Sequence, residues 1–158
     1  MKIICKDINN NDHEVDPLDL RFRPSTYGVL IEENKILLSK QWDGYDFPGG
    51  GMDIHENIKD TLKREFFEET GIKVKPGKLI TVRQSFFKPP YGDGYWNSIL
   101  MYYLVEKIGG EISKDNFDEH EKEYADLPEW IDIEKISDIK FYNSANSIKI
   151  IKKAQKFV

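Results

Sequence analysis

Residues 50–72 read GGMDIHENIKDTLKREFFEETGI, and this segment carries the strongest structural signal in the chain. Its apolar residues recur at every fourth position, as one face of a helix requires: Ile58, Leu62 and Phe66. Gly71 follows them as a typical helix stop. The pattern therefore predicts a helix over 56–70.

The flanking sequence predicts further strands, turns and one more helix. Two β-prone runs over 26–32 and 35–41 are joined by the polar pair Glu33-Asn34, which predicts a hairpin. Proline and three glycines over 46–51 predict a loop, because proline lacks an N–H donor and glycine adopts unusual backbone angles. Further strands are predicted over 72–74, 79–87 and 95–106, and an amphipathic helix over 143–158. This order of elements predicts an α/β (α+β) fold.

Three glutamates of the predicted helix fall on one side of a single turn. At about 100° per residue, Glu65, Glu68 and Glu69 lie within an arc of about 100°. Like charges at this spacing repel one another, and a carboxylate beside the apolar face is expensive when it has no partner. A bound cation would relieve both costs. The alternative is a solvated face in which Lys63 and Arg64 act as counterions.

The spacing across the whole segment resembles the signature of the Nudix hydrolase family. Five residues separate Gly50 from Glu56, and seven separate Glu56 from Arg64, which begins the run Arg64-Glu65-Phe66-Phe67-Glu68-Glu69-Thr70-Gly71-Ile72. The signature fixes nine positions over 23 residues, and this sequence matches all nine. The likeness extends over about residues 26–136 and implies a Nudix-type fold, in which a mixed β-sheet is layered between helices.

The resemblance also implies a metal site and assigns its ligands. The ligands would be the carboxylates of Glu65, Glu68, Glu69 and Glu56 together with the backbone of Gly50. They would hold Mg²⁺, and Mn²⁺ could substitute for it. Arg64 would orient the carboxylates, because its planar fork grips a carboxylate better than the single ammonium of lysine does.

One carboxylate left free of the metal would take the proton from an attacking water. Glu65 and Glu68 are both candidates on the helix. Members of this family often place a base or metal ligand in a later loop, and Glu121 within 118–123 is the candidate there. The alternative for 118–123 is a plain exposed acidic loop.

Composition limits the compartment and the partners. A chain of 158 residues with 39% hydrophobic and 32% charged residues predicts one globular domain over 1–158. The net charge of −5 disfavours a broad nucleic-acid surface, so no stable nucleic-acid complex is expected. No apolar run approaches the roughly 20 residues that span a bilayer, and residues 1–7 lack a secretory pattern. We therefore expect a cytoplasmic protein without a membrane partner.

The resemblance implies an enzyme that cuts a diphosphate linkage by attack of water at phosphorus. The substrate would be a small nucleotide or nucleotide sugar, and Arg23, Phe47 and Tyr91 are candidates to contact it. Other functions remain open: a nucleotide-sensing module without catalysis, an isomerase of isoprenoid diphosphates, and a hydrolase of the 5′ end of RNA. A homodimeric assembly is also left open.

Overall fold

The computed structural model describes residues 1–143 and 145–158. The strands in this part of the chain are β1 Ile3–Lys6, β2 Asp12–Val15, β3 Leu20–Val29, β4 Ile31–Glu32, β5 Lys35–Gln41, β6 Gly44–Asp46, β7 Gly49–Gly51, β8 Ile72–Phe87, β9 Tyr95–Gly110 and β10 Ala125–Asp132. The helices are α1 Ile58–Thr70, α2 Glu121–Tyr124 and α3 Ser147–Gln155, with 3₁₀ turns at Pro17–Asp19 and Ile133–Asp138. None of the helices described is long and apolar enough to cross a membrane.

The strands form two sheets. The larger sheet has the order β2-β1-β8-β9-β3-β7 and is mixed, because β1 runs parallel to β8 and β3 runs parallel to β9. The smaller sheet has the order β10-β5-β4, with β6 also paired to β5, and all of its pairs are antiparallel. A mixed sheet accompanied by few helices is an α+β arrangement, so the predicted fold class is confirmed.

Helix α1 is fixed by its apolar face. Leu62 and Phe66 are fully buried, as the fourfold spacing predicts. Phe66 lies so close to Gly28 of β3 that a Cβ there would be 2.5 Å from the ring. The helix begins at Ile58 rather than at residue 56, because the Asn57 side chain caps it by accepting a hydrogen bond from the Asp60 N–H at 3.0 Å.

Several local predictions are confirmed or corrected. The predicted hairpin is present as β4 and β5, and its turn residues Glu33 and Asn34 have φ values of 48° and 62°. The loop over 46–51 is a wrong prediction, because β7 pairs with β3 within it. The two strands predicted over 72–74 and 79–87 form one continuous strand, β8, which absorbs register shifts at bulges.

The two ends of the chain also differ from the prediction. An antiparallel hairpin of β1 and β2, which was not predicted, joins the larger sheet at its edge. The last helix is shorter than predicted and spans only Ser147–Gln155, where the Asn146 side chain caps its first turn. Position 144, within the predicted range 143–158, lies outside the described residues.

Candidate active site

A cavity of about 320 Å³ lies where several elements meet. Its lining comes from strands of both sheets, from α1 and α2, and from the segments that precede α2 and α3. It contains three carboxylates at one place, a single arginine and several aromatic side chains. The lining includes Arg23, Trp42, Asp46, Phe47, Gly50, Glu65, Glu69, Tyr91, Trp96, Glu121, Tyr124 and Asn143.

Three of the carboxylates in this lining form a tight cluster. One carboxylate oxygen from each of Glu65, Glu69 and Glu121 lies within 4.8 Å of the others. The first two come from successive turns of α1, and Glu121 is the first residue of α2. Glu121 is only 7% exposed, so the plain exposed loop is a wrong description of this residue.

Each carboxylate in the cluster has one oxygen held by the protein. Arg64 Nη1 donates to Glu65 Oε1 at 2.8 Å, and the Asp118 N–H donates to Glu121 Oε2 at 2.8 Å. Glu69 Oε2 accepts a hydrogen bond from Ser39 Oγ at 2.7 Å. The second oxygen of each group receives no hydrogen bond from the described residues, so the arrangement resembles an oriented ligand set.

Burial makes the ionised cluster costly. It raises the pKa of Glu121 to about 7 and raises the pKa of Glu69 well above the ordinary range, with the charge of Glu121 adding to the shift of Glu69. Burial also raises the pKa of Glu65, although Arg64 opposes that shift. Among the described residues, neither Glu69 nor Glu121 has a lysine or arginine partner. A bound cation would therefore stabilise the ionised cluster.

Arg64 donates hydrogen bonds to three glutamates next to the cavity. Its Nε and Nη2 donate to the two oxygens of Glu56 at 2.5 and 2.7 Å, in the two-pronged geometry that lysine lacks. It also donates to Glu68 Oε2 at 3.2 Å, in addition to Glu65. The hydrogen bonds from Arg64 lower the pKa of Glu56 to about 2. Arg64 thus contacts carboxylates as the sequence predicts, and its main partner is Glu56.

The structure separates the five predicted metal ligands. Glu65 and Glu69 lie in the cluster, whereas Glu56 and Glu68 lie outside it, held by Arg64. Gly50 borders the cluster, because a Cβ at this position would lie 2.6 Å from Glu65 Oε2. A glycine here therefore lets the β7 backbone approach the carboxylate.

The three residues predicted to contact substrate all line the cavity. Arg23 lies 4.2 Å from the centre of the Trp96 ring and donates from Nη1 to Ser25 Oγ at 2.7 Å. Tyr91 is 37% exposed and its ring is stacked with that of His120. Phe47 is only 1% exposed and packs in the core, so it offers a wall rather than an accessible face.

Sequence reasoning missed other residues of the cavity. Asp46 accepts a hydrogen bond from Asn143 Nδ2 at 2.8 Å, and burial raises its pKa to about 6. Tyr124 stacks on Trp42 with ring centroids 4.7 Å apart. Asp46 carried no sign of a functional role in the sequence, because turns commonly contain a polar residue ahead of proline and glycine. Ser39 lies outside this cavity and directly follows the apolar run Ile36-Leu37-Leu38, and the sequence carried no signal for its contact with Glu69.

The sequence is similar to known proteins over most of its length. The model of the NUDIX domain matches residues 21–153. Nucleoside diphosphate-linked moiety X motif 6 of Mus musculus is 34% identical over 125 residues, which are 79% of this chain and 36% of that protein. The chain thus spans about a third of that relative. The 8-oxo-dGTP diphosphatase of Buchnera aphidicola is 28% identical over 148 residues, covering 88% of this chain and 98% of that protein.

The fold also has solved counterparts. An ADP-ribose pyrophosphatase from Streptococcus suis superposes with a TM-score of 0.65 at 18% identity, covering 85% of this chain and 90% of that one. The domain match spans most of the chain and includes the glycine, arginine and glutamate positions of α1 and β7 described above. This chain therefore belongs to the Nudix hydrolase family.

Proposed function

We propose that this protein is a Mg²⁺-dependent hydrolase that cuts a diphosphate linkage in a small nucleotide or nucleotide sugar. One observation carries the proposal: three carboxylates, each with one oxygen within 4.8 Å of the others, line the same cavity as Arg23. Carboxylates suit a hard divalent cation, and an arginine suits a phosphate. The cavity of about 320 Å³ lies in the range of small-molecule sites.

The donor set fits magnesium. All three side chains offer oxygen, and neither Glu69 nor Glu121 has a lysine or arginine partner among the described residues, so a divalent ion would neutralise their negative charge. Glu65 and Glu69 would hold the ion, with Glu121 beside them. When bound, Mg²⁺ supplies charge neutralisation at the diphosphate and activation of water.

The side chains of the chain supply binding and proton transfer. Arg23 is the one lysine or arginine among the described residues that line the cavity, so it would bind a phosphate oxygen. The rings of Tyr91 and Tyr124 lie at 11° to one another, near Trp42, and offer flat faces to a nucleobase. Glu121, whose pKa is raised to about 7, suits either the third ligand position or the acceptance of a proton from water.

The variant Glu121→Gln separates these two roles. If Glu121 is the general base, this variant should have a lower kcat and an unchanged dissociation constant for Mn²⁺. If Glu121 is a metal ligand, the variant should also bind Mn²⁺ more weakly, because the neutral amide neutralises less of the ion's charge. Calorimetric titration with Mn²⁺, together with steady-state kinetics, distinguishes the two.

A substrate panel tests the proposed function. Relatives named for 8-oxo-dGTP and ADP-ribose make these two compounds its first members, followed by nucleoside triphosphates, nucleotide sugars and dinucleoside polyphosphates. We expect hydrolysis with Mg²⁺ or Mn²⁺, little with Ca²⁺, which prefers larger and looser coordination, and none in excess EDTA. Triphosphorylated RNA forms a further arm of the panel. Binding of a nucleotide without hydrolysis of any compound would instead favour a sensing module.

A further inference from the structure

Ser39 is a buried polar residue on the side of β5 that faces α1. It is 5% exposed and does not line the main cavity. Leu37, two residues earlier on the same face of the strand, packs in a fully apolar cluster with Leu62 and Phe66. A hydroxyl at position 39 is costly unless it is hydrogen-bonded, which points to a specific role.

The Ser39 hydroxyl is bonded to one atom of the candidate site. Ser39 Oγ donates to Glu69 Oε2 at 2.7 Å, and the Gly49 N–H reaches the same oxygen at 3.3 Å. Both donors therefore converge on Oε2. Among the described residues, Oε1 of Glu69 receives no hydrogen bond, so it is the oxygen available to a ligand.

This contact completes a pattern across the cluster. Glu65 is anchored by Arg64 and Glu121 by the Asp118 N–H, each through one oxygen. Glu69 has neither an arginine nor a short backbone contact, so Ser39 provides its shortest anchor. Beside them lies a small void of about 10 Å³, whose lining includes Ser39, Glu69 and Glu121. Without the hydroxyl, Oε2 of Glu69 would keep only the longer contact from the Gly49 N–H among the described residues.

We propose that Ser39 is a positioning residue that holds Oε2 of Glu69 and thereby presents Oε1 to the divalent metal. The proposal rests on the proposed function, because it assumes that the cluster binds a metal. Ser39 itself contacts neither substrate nor metal. Its removal should therefore change metal affinity, and should leave turnover at saturating metal much less affected.

The test measures Mn²⁺ binding by calorimetric titration in the full chain, for wild type and for Ser39→Ala and Ser39→Thr. Loss of an outer hydrogen bond to a metal ligand typically weakens metal binding by about 10–100-fold. We expect that loss for Ser39→Ala. We expect Ser39→Thr, which keeps the hydroxyl, to bind nearly as wild type does. The matched control is Ser147→Ala, since Ser147 is equally buried at 3% exposure but donates to Asn143.

Kinetics supply a second readout. In Ser39→Ala the metal concentration for half-maximal activity should rise by the same factor, while kcat at saturating metal stays within about threefold of wild type, well short of the factors seen for lost ligands. If Ser39→Ala does not fold, Ser39→Cys replaces it, because a thiol has a similar size and is a weak donor.

Two results separate the possible failures. Wild-type protein that binds no Mn²⁺ would overturn the proposed function itself. Wild-type binding together with equal Mn²⁺ affinity in Ser39→Ala, or equal losses in the alanine and threonine variants, would overturn the role of Ser39 alone.

Discussion

The variant Glu69→Gln separates stability from metal binding at the cluster. It keeps the shape of the side chain, and the amide oxygen can still accept hydrogen bonds from Ser39 and the Gly49 N–H. It removes a charge whose carboxylate lies within 4.8 Å of two others, where each pair repels by about 3–4 kcal/mol at an effective dielectric constant of about 20. Burial raises the pKa of Glu69, so protonation already relieves part of this repulsion.

We therefore expect the metal-free variant to be more stable than wild type by up to about 3 kcal/mol, or up to about 10 °C in Tm. The response to metal should move the other way. At a Mg²⁺ concentration of about 100 times its Kd, wild type gains about 2.7 kcal/mol, whereas a variant binding about 100-fold more weakly gains about 0.4 kcal/mol. Turnover should fall by about two orders of magnitude.

Thermal melts in EDTA and in Mg²⁺, followed by steady-state kinetics, measure both effects. A Glu69→Gln protein that melts lower than wild type in EDTA and yet keeps the full Mg²⁺-dependent shift would contradict this expectation. In that case Glu69 would be a structural residue, and the metal would lie elsewhere.

Three further perturbations follow from the same geometry. Arg64→Lys should lower the free energy of unfolding by roughly 2 kcal/mol and turnover by about tenfold, because one ammonium cannot hold both oxygens of Glu56; melts and kinetics equal to wild type would contradict this. Gly50→Ala should displace the Glu65 carboxylate, weakening Mn²⁺ binding by about tenfold while changing stability by less than about 1 kcal/mol; titration and melts in EDTA check both. Because burial raises the pKa of Glu121 to about 7 from an ordinary 4.5, the metal-free fold should gain up to about 3 kcal/mol as pH falls from about 7 to 4.5. It should lose stability below that, where Glu56, with its pKa lowered to about 2, becomes protonated, and melts in EDTA across this range would show a maximum.

The helix and its glutamates were predictable because both follow from helical spacing. Leu62 and Phe66 mark the buried face, and that face sets the direction of the carboxylates on either side of it. The helical repeat also explains why Glu65 and Glu69, which are one turn apart, meet in the cluster. Glu68 is one turn from Arg64 and is hydrogen-bonded to it instead.

Features that depend on tertiary contacts were less accessible from the sequence. The approach of β7 to the helix requires Gly50 to lie against Glu65, and no local pattern states that distance. Glu121 comes from a separate segment, and only the folded chain shows that it is buried while its neighbour Glu119 is exposed. The proline and glycines over 46–51 indicated a loop, whereas Gly49–Gly51 pair with β3 and form an edge strand.

Crystals grown with Mn²⁺ and measured for anomalous scattering would locate a divalent metal among Glu65, Glu69 and Glu121. We expect an anomalous peak within coordination distance of carboxylate oxygens from Glu65 and Glu69, with Glu121 beside it. A peak held by Glu56 or Glu68 while the three-carboxylate cluster stays empty would contradict the proposed metal site.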